Sequence, residues 1–233
     1  GQVERDVRIL PLLAPRLPVA IPEVLATGAP SGEYPWAWGV YRWLEGESLP
    51  AERLGEAAAA AADLARFLAA LRALDTAGAP PRRSRGVPLA TRDEFVRDSI
   101  AELDGRVDTS DAVAIWEAAL RAPDWDGPPI WIHGDLMPGN LIVRDGRLAG
   151  VVDWSLVCAG DPACDLMVAW MFLGADSRPQ LRSALDVDDA TWMRGRGWAL
   201  SCALGALPYY WETNPPFIAY ARRALAEVLA DPG

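Results

Sequence analysis

The sequence predicts an α/β protein of the α+β kind, mostly helical, with one short β-hairpin set inside the helical part. Three observations carry this. From Arg53 to Leu74 apolar residues recur at helical spacing in a stretch rich in Ala and Leu. Leu141 to Val143 and Leu148 to Val152 flank Arg144-Asp145-Gly146-Arg147, and Asp-Gly between apolar runs is a strong hairpin signal. After Asp161-Pro162 the chain is mainly helical, with breaks near Ser177-Arg178-Pro179, Pro208 and Asn214-Pro215-Pro216.

The remaining elements follow in order. Gln2 to Leu13 reads as a short helix, interrupted by Pro11 and ended by Pro15. Prolines at 18, 22, 30 and 35 then punctuate an extended segment. Ala37 to Leu44 is aromatic and apolar and reads as a strand, closed by a turn at Glu45-Gly46-Glu47. Thr91, with Glu94 three residues on, predicts a capping box for a helix through Leu103. Asp108 to Leu120 is a further helix, and Ile130 to Ile132 a short apolar run.

Composition narrows the class. Apolar residues make up 51% of 233, enough for a substantial core. No run of 18 or more apolar residues occurs, so no membrane partner is expected. Cys158, Cys164 and Cys202 have no metal-ligand spacing and read as reduced thiols of a cytoplasmic protein. The net charge of −10 argues against nucleic acid as a partner and fits a cationic substrate or plain solubility. All 22 basic residues are arginines, so chemistry that needs a lysine of this chain is excluded.

The densest chemistry lies in His133-Gly134-Asp135-Leu136-Met137-Pro138-Gly139-Asn140, then Val151-Val152-Asp153-Trp154, then Gly160-Asp161-Pro162-Ala163-Cys164-Asp165. With Asp145 and Gly146 as the turn, Arg144 pairs with Arg147 and Asn140 falls opposite Val151. Asn140 and Asp153 then share a face at the open end of the hairpin. An amide oxygen and a carboxylate converging there suit Mg²⁺. Asp135 reaches the same space from a loop that Gly134, Pro138 and Gly139 keep out of helix.

The spacing of Asp135 and Asn140 resembles the kinase catalytic loop, where an Asp takes the hydroxyl proton and an Asn five residues on holds Mg²⁺. His-Gly-Asp-Leu through Asn140, then Val-Asp-Trp, then Gly-Asp-Pro through Asp165, is similar to the aminoglycoside phosphotransferase family of small-molecule kinases. Leu12 to Glu47 is similar to the segment that links the lobes in a bacterial branch of that family. The resemblance covers nearly the whole chain and implies a protein-kinase-like two-lobe fold. Residues 1–47 would be the remnant of the nucleotide lobe and hinge, and residues 48–233 the helical lobe with the catalytic loop and acceptor region. It also implies that the Gly-rich loop and its following basic strand precede Gly1, so the nucleotide lobe is incomplete.

On single residues, the resemblance implies Asp135 as catalytic base, with Asn140 and Asp153 holding Mg²⁺ beside ATP or GTP. Tyr41, Arg42, Trp43 and Leu44 would meet the adenine edge, and Glu4 would be the ion-pairing acid of the first helix. His133, Asp161 and Asp165 would support the catalytic loop, Asp161 also as a cap before Pro162. Trp211 and Glu212 would face the acceptor. The acceptor expected first is an aminoglycoside-like or macrolide antibiotic. A kinase of choline, homoserine or a sugar and a non-catalytic kinase-like binding protein stand as alternatives. A dinuclear phosphoesterase needs several histidines and this chain has one.

Overall fold

The computed structural model describes residues 1–56 and 58–232. Helix α1 (Gln2–Leu13) runs through Pro11 without a break and buries Ile9, Leu10 and Leu13. Strands β1 (Val24–Gly28) and β2 (Trp38–Tyr41) form an antiparallel pair. β1 is a correction to the reading of that stretch as merely extended, and β2 is shorter than Ala37 to Leu44. The prolines at 22 and 30 bracket β1 and leave its interior free to pair.

A 3₁₀ segment, Ala51–Glu56, leads to α2 (Ala58–Arg72); residue 57 of the expected helix lies outside the described residues. Leu64, Phe67, Leu68 and Leu71 are buried, spaced as one helical face requires. The capping box predicted at Thr91 does not form. A 3₁₀ turn, Leu89–Arg92, comes first, the Thr91 hydroxyl donates to Pro88 O at 2.8 Å, and α3 (Asp93–Glu102) starts after it. Helix α4 (Ser110–Arg121) follows.

Strand β3 (Ile130–Ile132) pairs with β6 (Cys158–Gly160), and between them β4 (Leu141–Arg144) and β5 (Arg147–Val151) form the hairpin. Asp145 and Gly146 both hold positive φ, as the tight turn demands. The expected register holds at Arg144↔Arg147 and Val143↔Leu148, then a bulge moves it by one, to Ile142↔Gly150 and Leu141↔Val151. Val152 N–H accordingly donates to Asn140 O at 2.9 Å, so Asn140 lies opposite Val152 and not Val151. A bulge adds one residue to one strand, and small residues at Ala149 and Gly150 accommodate it.

The hairpin is held on both sides. Val151 N–H donates to Ala20 O at 2.9 Å and Val143 N–H to Glu47 O at 2.8 Å, so the segment before α2 is bonded to both strands. Helices α5 (Val168–Met171) and α6 (Arg178–Ala184) precede α7 (Asp189–Tyr210), which is buried over most of its length and packs on α3, α4 and α8 (Pro215–Ala230). Asp188 caps α7 by accepting Thr191 N–H at 2.6 Å. Among the described residues, no helix is long and apolar enough to cross a membrane.

Candidate active site

His133 leaves β3 with its ring fully buried, edge-on to Trp154 at 4.8 Å. Its Nε2 lies 3.0 Å from Val152 O, and its Nδ1 accepts Asp135 N–H at 3.2 Å. That pairing defines the neutral tautomer with the proton on Nε2. Burial holds its pKa down at about 4. A neutral ring engaged at both nitrogens braces the loop and has no lone pair left for proton transfer. Asp165 is equally buried and accepts His133 N–H at 2.8 Å and Gly134 N–H at 2.7 Å. Burial lifts its pKa to about 6, against the two N–H groups that favour its charge. Gly134 has φ +84°, and a Cβ there would stand 2.7 Å from Leu156 O, so the loop needs glycine at this point.

This bracing aims Asp135 into a cleft. The Asn140 side-chain N–H₂ donates to Asp135 O at 2.8 Å and to its carboxylate at 3.2 Å. With its amide nitrogen turned to the loop, Asn140 keeps its carbonyl oxygen as a free acceptor. Burial, with the charge of Asp153 adding, raises the Asp135 pKa; Arg85 and Asn140 oppose the rise. Asp153 follows β5 at φ +58° and caps the turn Trp154–Leu156 by accepting Ser155 N–H at 3.2 Å.

Two clefts meet at Asp153. One, of about 620 Å³, is lined by Asp6, Tyr41, Arg42, Trp43, Leu44 and Asp153 among others. All four residues expected at the adenine edge therefore lie on one cleft. Arg42 N–H is already bonded to Glu23 O at 2.8 Å; among the described residues no backbone bond engages the N–H of Trp43 or Leu44. The other, of about 430 Å³, holds Asp135, Asn140 and Asp153 beside Arg85, Arg92 and an aromatic wall. Asn140 and Asp153 thus share a space although the register that predicted it is off by one. Their hard oxygens suit Mg²⁺, which takes one or two protein ligands and draws the rest from phosphate and water. Groups of three or more His, Cys, Asp or Glu side chains fit to hold a metal are absent among the described residues.

The structure places several of the expected residues away from the two clefts. Glu4 is exposed and is not among the residues that line the first cleft. Asp6 is the acid that α1 sends inward: it is 6% exposed and accepts the Tyr41 hydroxyl at 2.8 Å. Its place one turn before Leu10 on the apolar stripe was the available signal. Among the described residues, no bond joins the Asp161 side chain to the loop His133–Asn140. Asp161 caps Pro162–Met167 through Ala163 N–H and forms a buried bidentate pair with Arg194 at 2.9 and 3.2 Å. Trp211 and Glu212 do not line the second cleft: Arg106 and Arg222 cover the Trp211 ring, and Tyr209 and Tyr210 take the expected place on the wall. Trp211 and Glu212 both follow the end of α7, in the turn before α8. Sequence reasoning missed Arg85, whose guanidinium donates to Gly134 O at 2.7 Å and meets the Asp135 carboxylate at 3.5 Å. It enters from a Pro/Arg/Gly loop that carries no motif.

Comparison with known proteins bears on the fold and the family. The model of the phosphotransferase enzyme family matches residues 1–198. The structure resembles the GDP and kanamycin complex of APH(2")-IIia, with TM-score 0.70 at 19% identity, over 100% of this chain and 83% of that one. It also resembles a macrolide 2'-phosphotransferase, MphH from Brachybacterium faecium, with TM-score 0.58 at 25% identity, over 100% of this chain and 81% of that one. A Bacillus subtilis protein, uncharacterized protein YcbJ, is 27% identical over 111 residues, 46% of this chain and 34% of that protein's length, so the chain spans about a third of it. The fold is therefore kinase-like, and with most of its length matched by the family model, the chain belongs to the phosphotransferase enzyme family.

Proposed function

We propose that the chain is the catalytic part of a kinase that moves the γ-phosphate of ATP or GTP onto a hydroxyl of a small molecule. The observation that carries the reading is the meeting of two clefts at Asp153, with Asp135 on the side away from Tyr41 to Leu44. Nucleotide would lie along Tyr41 to Leu44, with its phosphates directed to Asp153. GDP and ADP, bound in similar structures, support nucleotide use. Asn140 and Asp153 would hold Mg²⁺, which when bound offsets charge on the phosphates. Asp135 accepts the proton of the acceptor hydroxyl and aligns its oxygen for in-line attack on the γ-phosphorus. The P–O bond to the β-phosphate breaks as the new P–O bond forms, and the proton passes to the Asp135 carboxylate. His133 and Asp165 fix the loop, so that little reorganisation accompanies transfer.

Kanamycin and the macrolide class, named for similar structures, support an aminoglycoside-like or macrolide antibiotic as acceptor. Choline, homoserine and sugars are the alternative alcohols. The test is Asp135→Ala in a coupled assay over such a panel, with nucleotide affinity measured alongside. Phosphoryl transfer should fall by at least about a thousandfold while nucleotide affinity stays within about twofold. Undiminished transfer in the variant refutes the assignment.

A further inference from the structure

The acceptor-side cleft is unusual in its charge. Among the described residues its only carboxylates are Asp135 and Asp153, both already assigned to the reacting centre. Its other charges are the guanidinium groups of Arg85 and Arg92. Arg85 is engaged by Gly134 and Asp135, as described above. Arg92 is different. Its Nε donates to Ser201 Oγ at 3.3 Å and its guanidinium lies 4.0 Å over the Phe95 ring. Among the described residues no carboxylate stands within ion-pairing distance of it. Burial in the cleft wall lowers its pKa from the ordinary arginine value. A partly desolvated cation with a neutral hydroxyl and a ring for company retains donors for an incoming oxygen.

The rest of the wall is apolar. Phe95, Tyr209, Tyr210 and Phe217 line it, the last three in ring contact at 4.6 and 4.5 Å. Phe95 and Tyr209 are 41% and 76% exposed, which is costly surface for large rings unless something covers it. An ammonium placed there would meet Arg92 and Arg85, and the two carboxylates of the cleft, Asp135 and Asp153, are those of the reacting centre.

We infer that Arg92 sets acceptor specificity. This cleft takes an alcohol with a broad apolar face that presents a carboxylate or similarly strong accepting oxygen to Arg92, and it disfavours polyamines. The inference rests on the phosphotransfer reading only for where the acceptor hydroxyl sits. Within that reading it moves the balance away from polycationic aminoglycosides.

Three shape-matched probes test it: 4-(hydroxymethyl)benzoate, benzyl alcohol and 4-(hydroxymethyl)benzylamine. Their affinities for the chain are measured by saturation-transfer NMR with and without MgADP. The benzoate should bind at least about tenfold tighter than the amine, with the alcohol between them. Arg92→Gln should erase that ranking, and Arg92→Lys should restore part of it. Melting curves of both variants check that they fold. Tighter or equal binding of the amine overturns the inference, as does absence of binding by all three. A ranking unchanged in a folded Arg92→Gln also overturns it. Loss of nucleotide affinity bears on the kinase reading instead, because the ranking without MgADP does not depend on it.

Discussion

At the scale of single residues, His133 and Asp165 are two buried groups with opposite titrations. The folded His133 titrates at about 4 against an ordinary value of 6.5. Between those values the unfolded chain binds a proton that the folded one refuses, so stability is lost as pH falls. The folded Asp165 titrates at about 6 against 3.8. There the folded chain holds a proton that the unfolded one lacks, and stability is lost as pH rises through about 6. The two slopes overlap in the window from about pH 4 to about pH 6 and largely cancel. Asp165→Asn removes the second slope and keeps the first. The variant should therefore gain stability with rising pH relative to the parent, by about 3 kcal/mol across that window. Urea midpoints at both ends measure this, and parallel curves for the two proteins would contradict it. A constant penalty is expected as well, because the asparagine amide brings a donor where Asp165 offered only acceptors to two N–H groups.

At the scale of elements, the hairpin carrying Asn140 and Asp153 is fastened to α2 by one buried carboxylate. Asp63, 3% exposed, accepts two bonds from Arg147 at 2.7 and 2.6 Å and one from Leu148 N–H at 3.1 Å, and it also pairs with Arg66. Arg147 holds its pKa below the usual carboxylate range. Asp63→Ala strands the Leu148 N–H and lets Arg147, whose side chain is 55% exposed, return to water. The cost should be about 2–3 kcal/mol, most of it from the orphaned N–H. Asp63→Asn should recover part of it. Chemical denaturation decides, and a loss under about 0.5 kcal/mol for Asp63→Ala would show that the hairpin is held elsewhere. The same elements show what was legible in advance. The Asp145-Gly146 turn was readable because positive φ at two successive residues demands such a pair. The bulge beyond it was not, since Ala149 and Gly150 mark permissive backbone without saying which strand takes the extra residue. The Thr91 box failed because its hydroxyl found Pro88 O in a 3₁₀ turn that competes with the cap. His133, Asp135 and Asn140 were legible because one loop holds them together. Arg85 reaches Asp135 across 50 positions and Tyr41 reaches Asp6 across 35, and no local pattern encodes such contacts.

At the scale of the whole molecule, a net charge of −10 sets a condition on the proposed ligand. A nucleotide is a polyanion, and the cleft along Tyr41 to Leu44 offers it Arg42 as cation with Asp6 and Asp153 opposing. Arg42 is itself paired to Glu23 at 2.6 Å. Electrostatics of the chain alone therefore disfavours the phosphates, and a divalent cation between them and Asp153 reverses the sign. Nucleotide binding should depend on the metal through Asp153. At a free concentration about a hundred times its dissociation constant, MgATP should stabilise the fold by about 2.7 kcal/mol. Chelating the metal should remove most of that gain, since the phosphates then face the carboxylates unscreened. Asp153→Ala should abolish the difference between metal-loaded and chelated samples. Asp135→Asn should keep it, because Asp135 lies on the acceptor side of the junction. Thermal unfolding with ATP, in Mg²⁺ and in chelator, reads all three proteins in one experiment. An equal metal-dependent shift in parent and Asp153→Ala would move the metal away from Asp153 and dissolve the link between the two clefts. A shift lost in Asp135→Asn instead would assign Asp135 to the nucleotide and leave the acceptor hydroxyl without its base.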